Sequence, residues 1–95
     1  MEKVNVHIYV YGLVQGVYFR QSLKKTALKQ NVYGWTRNLA DGRVEAVLQG
    51  RKEDVEKVIA WAKQGPSRAR VKKVQEKWDF AAPIYENFNI ISSGS

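Results

Sequence analysis

Gly12-Leu13-Val14-Gln15-Gly16-Val17-Tyr18-Phe19-Arg20 stands between an alternating apolar run, Val4 to Tyr11, and a Lys-rich segment with helical spacing, Gln21 to Gln30. Strand, glycine-bearing loop, arginine and helix, in that order, let a chain build an anion site from its own backbone. Glycines allow consecutive N–H groups to face inward, and a helix N-terminus adds unbonded N–H groups and the positive end of its dipole. The Arg20 guanidinium supplies a planar fork of donors that matches two phosphate oxygens at once. The same residue types also make an ordinary tight connection, and on composition alone both readings stand. Two nucleotide motifs are excluded: no Gly-Lys-Ser/Thr follows the loop, and Gly-x-Gly-x-x-Gly is absent.

On the N-terminal side, Val4, Val6, Ile8 and Val10 alternate with Asn5, His7, Tyr9 and Tyr11. A period of two predicts a strand covered on one face. His7 is the single histidine. It belongs to the second, exposed face and lies roughly 16 Å before Gly12 at about 3.3 Å per residue, which makes it a poor general base for the loop.

On the C-terminal side, Phe19, Leu23 and Ala27 recur at four-residue spacing and predict a helix to about Gln30, with Asn31 ending it. Val32 to Leu39 and Arg43 to Gln49 read as two strands joined at the Asp41-Gly42 turn. Asn38 precedes that turn, where its ordinary role is to hydrogen-bond the turn backbone. A second helix spans Lys52 to Gln64. Val55, Val58, Ile59 and Ala62 form its apolar stripe, Glu53, Asp54 and Glu56 favour its start, and Gly65-Pro66 ends it. Arg68 to Phe80 is a fourth strand whose apolar phase slips between Val71 and Val74, which predicts a bulge near Lys72-Lys73. Ala81 to Asn87, with Pro83, reads as a loop, and Phe88 and Ile90 as a short fifth strand. Residues 1–91 therefore form one domain, and Ser92 to Ser95 a flexible tail.

The composition narrows the chemistry. Ninety-five residues suffice for one core, and 44% hydrophobic with 12% aromatic residues indicates a folded globule. Without cysteine there is neither disulfide nor thiolate chemistry, and a metal would need other ligands. No signal peptide or membrane-length apolar run is present, so the expected location is cytoplasmic. A net charge of +7 suits anionic partners such as nucleic acid, an acidic membrane surface or a small phosphorylated metabolite, and equally a solvated basic surface.

The element order β-α-β-β-α-β plus a short last strand predicts an α+β ferredoxin-like sandwich, an antiparallel sheet with both helices on one face. The expected strand order is 4-1-3-2, with strands one and three as parallel neighbours. In that order the loop after strand one and Asn38 at the end of strand two meet at the same end of the sheet, across strand three. Such a site would hold an anion beside a neutral amide, with no paired carboxylates, no suitably placed histidine and no base to activate Ser22. An alkyl phosphate would be a hard substrate, because its leaving alkoxide needs a proton. The carboxylate of an acyl phosphate leaves as a stable anion, so positioning and charge stabilisation suffice.

Val14-Gln15-Gly16-Val17-Tyr18-Phe19-Arg20 and Gly34-Trp35-Thr36-Arg37-Asn38, followed by Gly42, Val44 and Gly50, resemble the two signatures of the acylphosphatases. The resemblance covers nearly the whole chain, through Gly65-Pro66 to Phe88. It implies hydrolysis of the carboxyl–phosphate bond of small acyl phosphates by a cytoplasmic monomer, without metal or cofactor. By this resemblance the backbone of Val14, Gln15, Gly16, Val17, Tyr18, Phe19 and Arg20 binds phosphate with the Arg20 side chain. Asn38 orients the attacking water, and the substrate's own phosphate takes up its proton. Inorganic phosphate or sulfate would compete, and neither membrane nor nucleic acid is an expected partner. Tyr18 is bulkier than is common in its slot and should point out of the cradle. Thr36 is slightly unusual but small and β-branched. Outside the phosphate site no residue pattern marks an acyl-specific pocket. Two other classes remain: a single-stranded RNA binder using Tyr9, Tyr11 and Trp35, although the Lys/Arg-Gly-aromatic strand motif is missing, and a phosphate-binding module without turnover.

Overall fold

In a computed structural model, which describes residues 3–79 and 85–94, the elements follow the expected order. They are β1 (Lys3–Leu13), α1 (Phe19–Lys29), β2 (Tyr33–Asn38), β3 (Val44–Arg51), α2 (Lys52–Gln64), β4 (Arg70–Asp79) and β5 (Phe88–Ile90). The alternation in β1 divides its faces as the period of two requires. Val4, Val6, Ile8 and Val10 are buried, and Asn5, His7, Tyr9 and Tyr11 are half-buried opposite them. Phe19, Leu23 and Ala27 of α1 and Val55, Val58, Ile59 and Ala62 of α2 join the buried valines in one core, so both helices cover the same face. Each fully buried Val, Leu, Ile or Phe contributes about 1.5–3 kcal/mol, and this packing rather than intrinsic propensity holds helices of 11 and 13 residues.

The sheet order is β4-β1-β3-β2-β5. Strands β1 and β3 are neighbours as expected, but they run antiparallel rather than parallel. The crossover through α1 returns β2 in the direction of β1, and the hairpin at Asp41-Gly42 then reverses β3. A strand lying between β1 and β2 must therefore oppose both. Among the described strands, β5 alone pairs in parallel, with β2, which makes the sheet mixed at that edge. The bulge falls where the phase slip placed it: Tyr11 pairs with Lys73 and Gly12 with Val71, leaving Lys72 as the extra residue.

Within the segment read as a tail, Gly94 makes main-chain hydrogen bonds to the end of β2 and the turn after it. The Gly94 N–H donates to the Asn38 carbonyl oxygen at 2.8 Å, and the Ala40 N–H donates to the Gly94 oxygen at 3.1 Å. Main-chain bonds need no side-chain pattern, which is why a Ser/Gly segment can be ordered without advertising it. Phe80, expected to end β4, and most of the loop around Pro83 lie outside the described residues, as does Ser95. No described helix is long and apolar enough to cross a membrane.

Candidate active site

The connection from β1 to α1 has the construction of an anion cradle. Gly16 adopts φ +73°, and a Cβ there would meet nothing within 4 Å. Backbone conformation, rather than lack of space, thus calls for glycine at this point. Tyr18 also sits in the left-handed region, at φ 61° and ψ 26°, although it carries a side chain. That conformation costs about 1–2 kcal/mol, and it turns the ring outward, where Tyr18 is 65% exposed between buried Val17 and Phe19. The first α1 hydrogen bond runs from the Ser22 N–H to the Tyr18 oxygen. The N–H groups of Phe19, Arg20 and Gln21 are therefore without intrahelical partners. No side chain caps this terminus and its first turn holds no acidic residue, whereas α2 begins with Glu53 and Asp54. No side chain of the first turn therefore offsets the positive end of the α1 dipole.

A cavity of about 310 Å³ opens at this terminus, lined by Val14, Gly16, Tyr18, Phe19, Arg20, Gln21 and Arg68. No carboxylate lines it, and neither Arg20 nor Arg68 forms an ion pair with a described residue. Of the expected cradle residues, Val14, Gly16, Tyr18, Phe19 and Arg20 reach the cavity wall. Val17 is buried in the core, and Gln15 points elsewhere.

Gln15 instead ties the cradle to the β2–β3 turn. Its Nε2 donates to the carbonyl oxygens of Leu39, at 2.8 Å, and Arg43, at 3.0 Å. This fastening brings the loop to the residue after Asn38. Asn38 is not on the cavity wall, but the sheet aligns it with the end of β1, since Val10 and Asn38 both face Val44 from opposite sides of β3. The turn role first considered for Asn38 is not realised, because its side chain makes no hydrogen bond with any described residue and its Oδ1 is buried without a partner. Asp41 serves the turn instead, accepting from the Arg43 N–H at 3.1 Å. Neither Arg68 nor the Gln15 link was read from the sequence. Topology carried a signal for Arg68, because α2 ends and β4 begins at the same end of the sheet as the cradle.

Away from the cradle, the sheet face opposite the helices carries a polar layer. Glu45 is only 5% exposed. Its carboxylate accepts from Arg37 Nε and from His7 Nε2, each at 2.6 Å. Burial pushes the Glu45 carboxyl up, but the hydrogen bonds and charges of Arg37 and His7 outweigh it and hold the group below its usual range. His7 is thus half-buried in this network rather than freely exposed. The aromatic rings of the layer already carry the protein's own cations: Arg37 lies over Trp35 at 5.5 Å, Arg43 over Tyr9 at 4.8 Å, and Lys73 over Tyr11 at 4.5 Å. The buried Thr36 hydroxyl donates to the Glu45 main-chain oxygen at 2.9 Å. Among the described residues, no group of three or more His, Cys, Asp or Glu could hold a metal ion.

The family model described as Acylphosphatase matches residues 6–90. The chain is 50% identical over 92 residues to an acylphosphatase of Pyrobaculum islandicum, covering 96% of this chain and 97% of that one. It is 53% identical over 91 residues to an acylphosphatase of Thermococcus kodakarensis, covering 96% and 99%. Its fold is similar to the solved structure of an acylphosphatase from Coxiella burnetii, with a TM-score of 0.90, 32% identity, and coverage of 95% and 94%.

Proposed function

Because the chain belongs to the acylphosphatase family, and so is a hydrolase of acyl phosphates, we propose how its residues divide the work. The N–H groups of residues 14–20 and the Arg20 guanidinium hold the phosphoryl oxygens. Asn38 holds the attacking water in line with the bond to be broken. The water oxygen bonds to phosphorus as the bond from phosphorus to the acyl oxygen breaks, and its electron pair leaves with the carboxylate. An acyl phosphate dianion and water thus give a carboxylate and dihydrogen phosphate, the water's departing proton ending on a phosphate oxygen. No protein acid is needed for so stable a leaving group, which matches a cavity lined by no Asp, Glu or His. Rate then comes from positioning and from donors aimed at the equatorial oxygens.

The observation that carries this reading is the Asn38 amide. Its Oδ1 is buried with no partner among the described residues, as are Asn5 Oδ1 and Gln49 Nε2, but only Asn38 adjoins Leu39, whose carbonyl oxygen Gln15 of the loop holds. Asn38→Ala is the test, by steady-state kinetics and thermal unfolding together. A role in the transition state predicts that kcat and kcat/KM fall by similar large factors while KM and Tm barely move. A stability loss with kcat intact would return Asn38 to the turn.

The same reading makes the protein a cytoplasmic monomer that needs neither metal nor cofactor and is inhibited by inorganic phosphate or sulfate. An unchanged rate in excess chelator is the expected result, and loss restored by a divalent ion would overturn it. Nucleic acid is not part of this reading: Tyr9, Tyr11 and Trp35 are covered by Arg43, Lys73 and Arg37, which disfavours stacking of bases on them.

A further inference from the structure

The cavity holds a second arginine that the phosphate chemistry does not use. Arg68 reaches it from the turn between α2 and β4, on a different segment from the cradle. That turn is anchored on both sides of Arg68. Before it, Gly65 packs so closely that a Cβ would lie 3.2 Å from Phe19, Ala69 and Val71 side-chain atoms. After it, Ala69 is buried and its N–H donates to the Pro66 oxygen at 2.9 Å. Phe19 is itself the first residue of α1, so the Arg68 turn is seated directly on the start of the helix that forms the cradle.

Among the described residues Arg68, like Arg20 and Arg70, has neither a carboxylate nor an aromatic ring as partner, and of these three Arg20 and Arg68 line the cavity. The cavity of about 310 Å³ is roughly ten times the ~30 Å³ that one water occupies in the liquid. A phosphoryl group would fill only part of it, and its lining includes Arg68 and no acidic residue.

We propose that Arg68 is a specificity-determining residue, pairing with a carboxylate at the far end of the acyl group, so that the site favours dicarboxylic monoacyl phosphates over neutral acyl phosphates. The inference rests on the acyl phosphate reading above and adds to it the class of acyl group. The planar fork of an arginine in the lining of this cavity suits a bidentate carboxylate. Arg68 acts on binding of the acyl end and has no part in the bond changes at phosphorus.

The experiment compares succinyl phosphate with butyryl phosphate, which have the same chain length and differ in a terminal carboxylate or methyl group. Wild type, Arg68→Gln and Arg68→Lys are assayed on both, with inhibition by inorganic phosphate measured in parallel. Arg68→Gln is expected to lower kcat/KM for succinyl phosphate roughly three- to thirtyfold more than for butyryl phosphate. The difference should lie in KM, and Arg68→Lys should fall between the two. Added salt should shrink the wild-type preference, since the pair is near the surface. Equal losses on both substrates with weaker phosphate inhibition would assign Arg68 to the phosphoryl group and overturn the proposal. Unchanged ratios in Arg68→Gln would reduce it to a solvated cation. A wild type that turns over neither substrate would bring down the acyl phosphate reading itself.

Discussion

The Gln15 side-chain amide donates to the Leu39 main-chain oxygen at 2.8 Å, fastening the anion loop to the residue that follows Asn38. The two halves of the candidate site come from different segments, and this bond, with its companion to Arg43, bridges them. Gln15→Ala should therefore do more than remove two hydrogen bonds worth about 1 kcal/mol each. We expect kcat to fall about tenfold, because a misplacement of loop against Asn38 acts on the reacting geometry. Steady-state kinetics with unfolding curves check this, and a stability loss with unchanged kcat would confine Gln15 to scaffolding.

Arg20 faces the cavity without a carboxylate partner. Removing one well-placed donor to developing charge costs about a hundred- to a thousandfold in rate, and Arg20 supplies two donors and a charge. Arg20→Ala should nearly abolish turnover and weaken inhibition by inorganic phosphate. Arg20→Lys should rescue poorly because it lacks the planar fork. Near-normal kinetics in a folded Arg20→Ala protein would remove Arg20 from the site.

Tyr18 holds a left-handed conformation with most of its ring in solvent. Glycine relieves that strain, about 1–2 kcal/mol, and loses about 0.5–1 kcal/mol to its freer unfolded chain. Tyr18→Gly is expected to leave stability unchanged or raise it by up to about 1.5 kcal/mol, measured by denaturant unfolding. A marked loss would mean that the ring makes a contact worth more than the strain.

Glu45 titrates below its usual range in the folded protein because Arg37 and His7 favour its charged form. A carboxyl lowered on folding stabilises the native state above the unfolded value, about 4.3, and that contribution disappears as pH falls through the folded value. Wild type should therefore lose more stability than Glu45→Gln on acidification from about pH 5 to 3. At pH 7 the variant should be less stable by about 1.5–3 kcal/mol. Parallel acid dependence of the two proteins would show that the pair network adds nothing.

Much of this architecture was legible because burial writes itself into spacing. The four alternating residues of β1, the stripe from Val55 to Ala62 and the Asp41-Gly42 turn each have one cheap solution, and the structure adopts it. Even the extra residue at Lys72 showed as a slip in apolar phase. The parallel pairing expected of β1 and β3 conflicts with the hairpin at Asp41-Gly42, which reverses β3 and makes the pair antiparallel. Other features leave no local trace. Gly94 bonds through its main chain, and the reach of Gln15 to Leu39 depends on two loops meeting in space. Arg68 follows turn residues and reads as one more solvated cation until the fold places it in the lining of the same cavity as Arg20.

The bulge at Lys72 also affects how copies of this chain treat one another. Of the described strands, β4 and β5 are the outermost, and an open strand edge invites another copy to dock on it and seed aggregation. Along β4 the exposed residues include Arg70, Lys72, Lys73 and Lys77, and the extra residue bends the hydrogen-bonding row out of line. At the other margin β5 offers only three residues. Two approaching β4 edges would each bring several of these cations and an interrupted ladder, and both features disfavour edge-to-edge pairing.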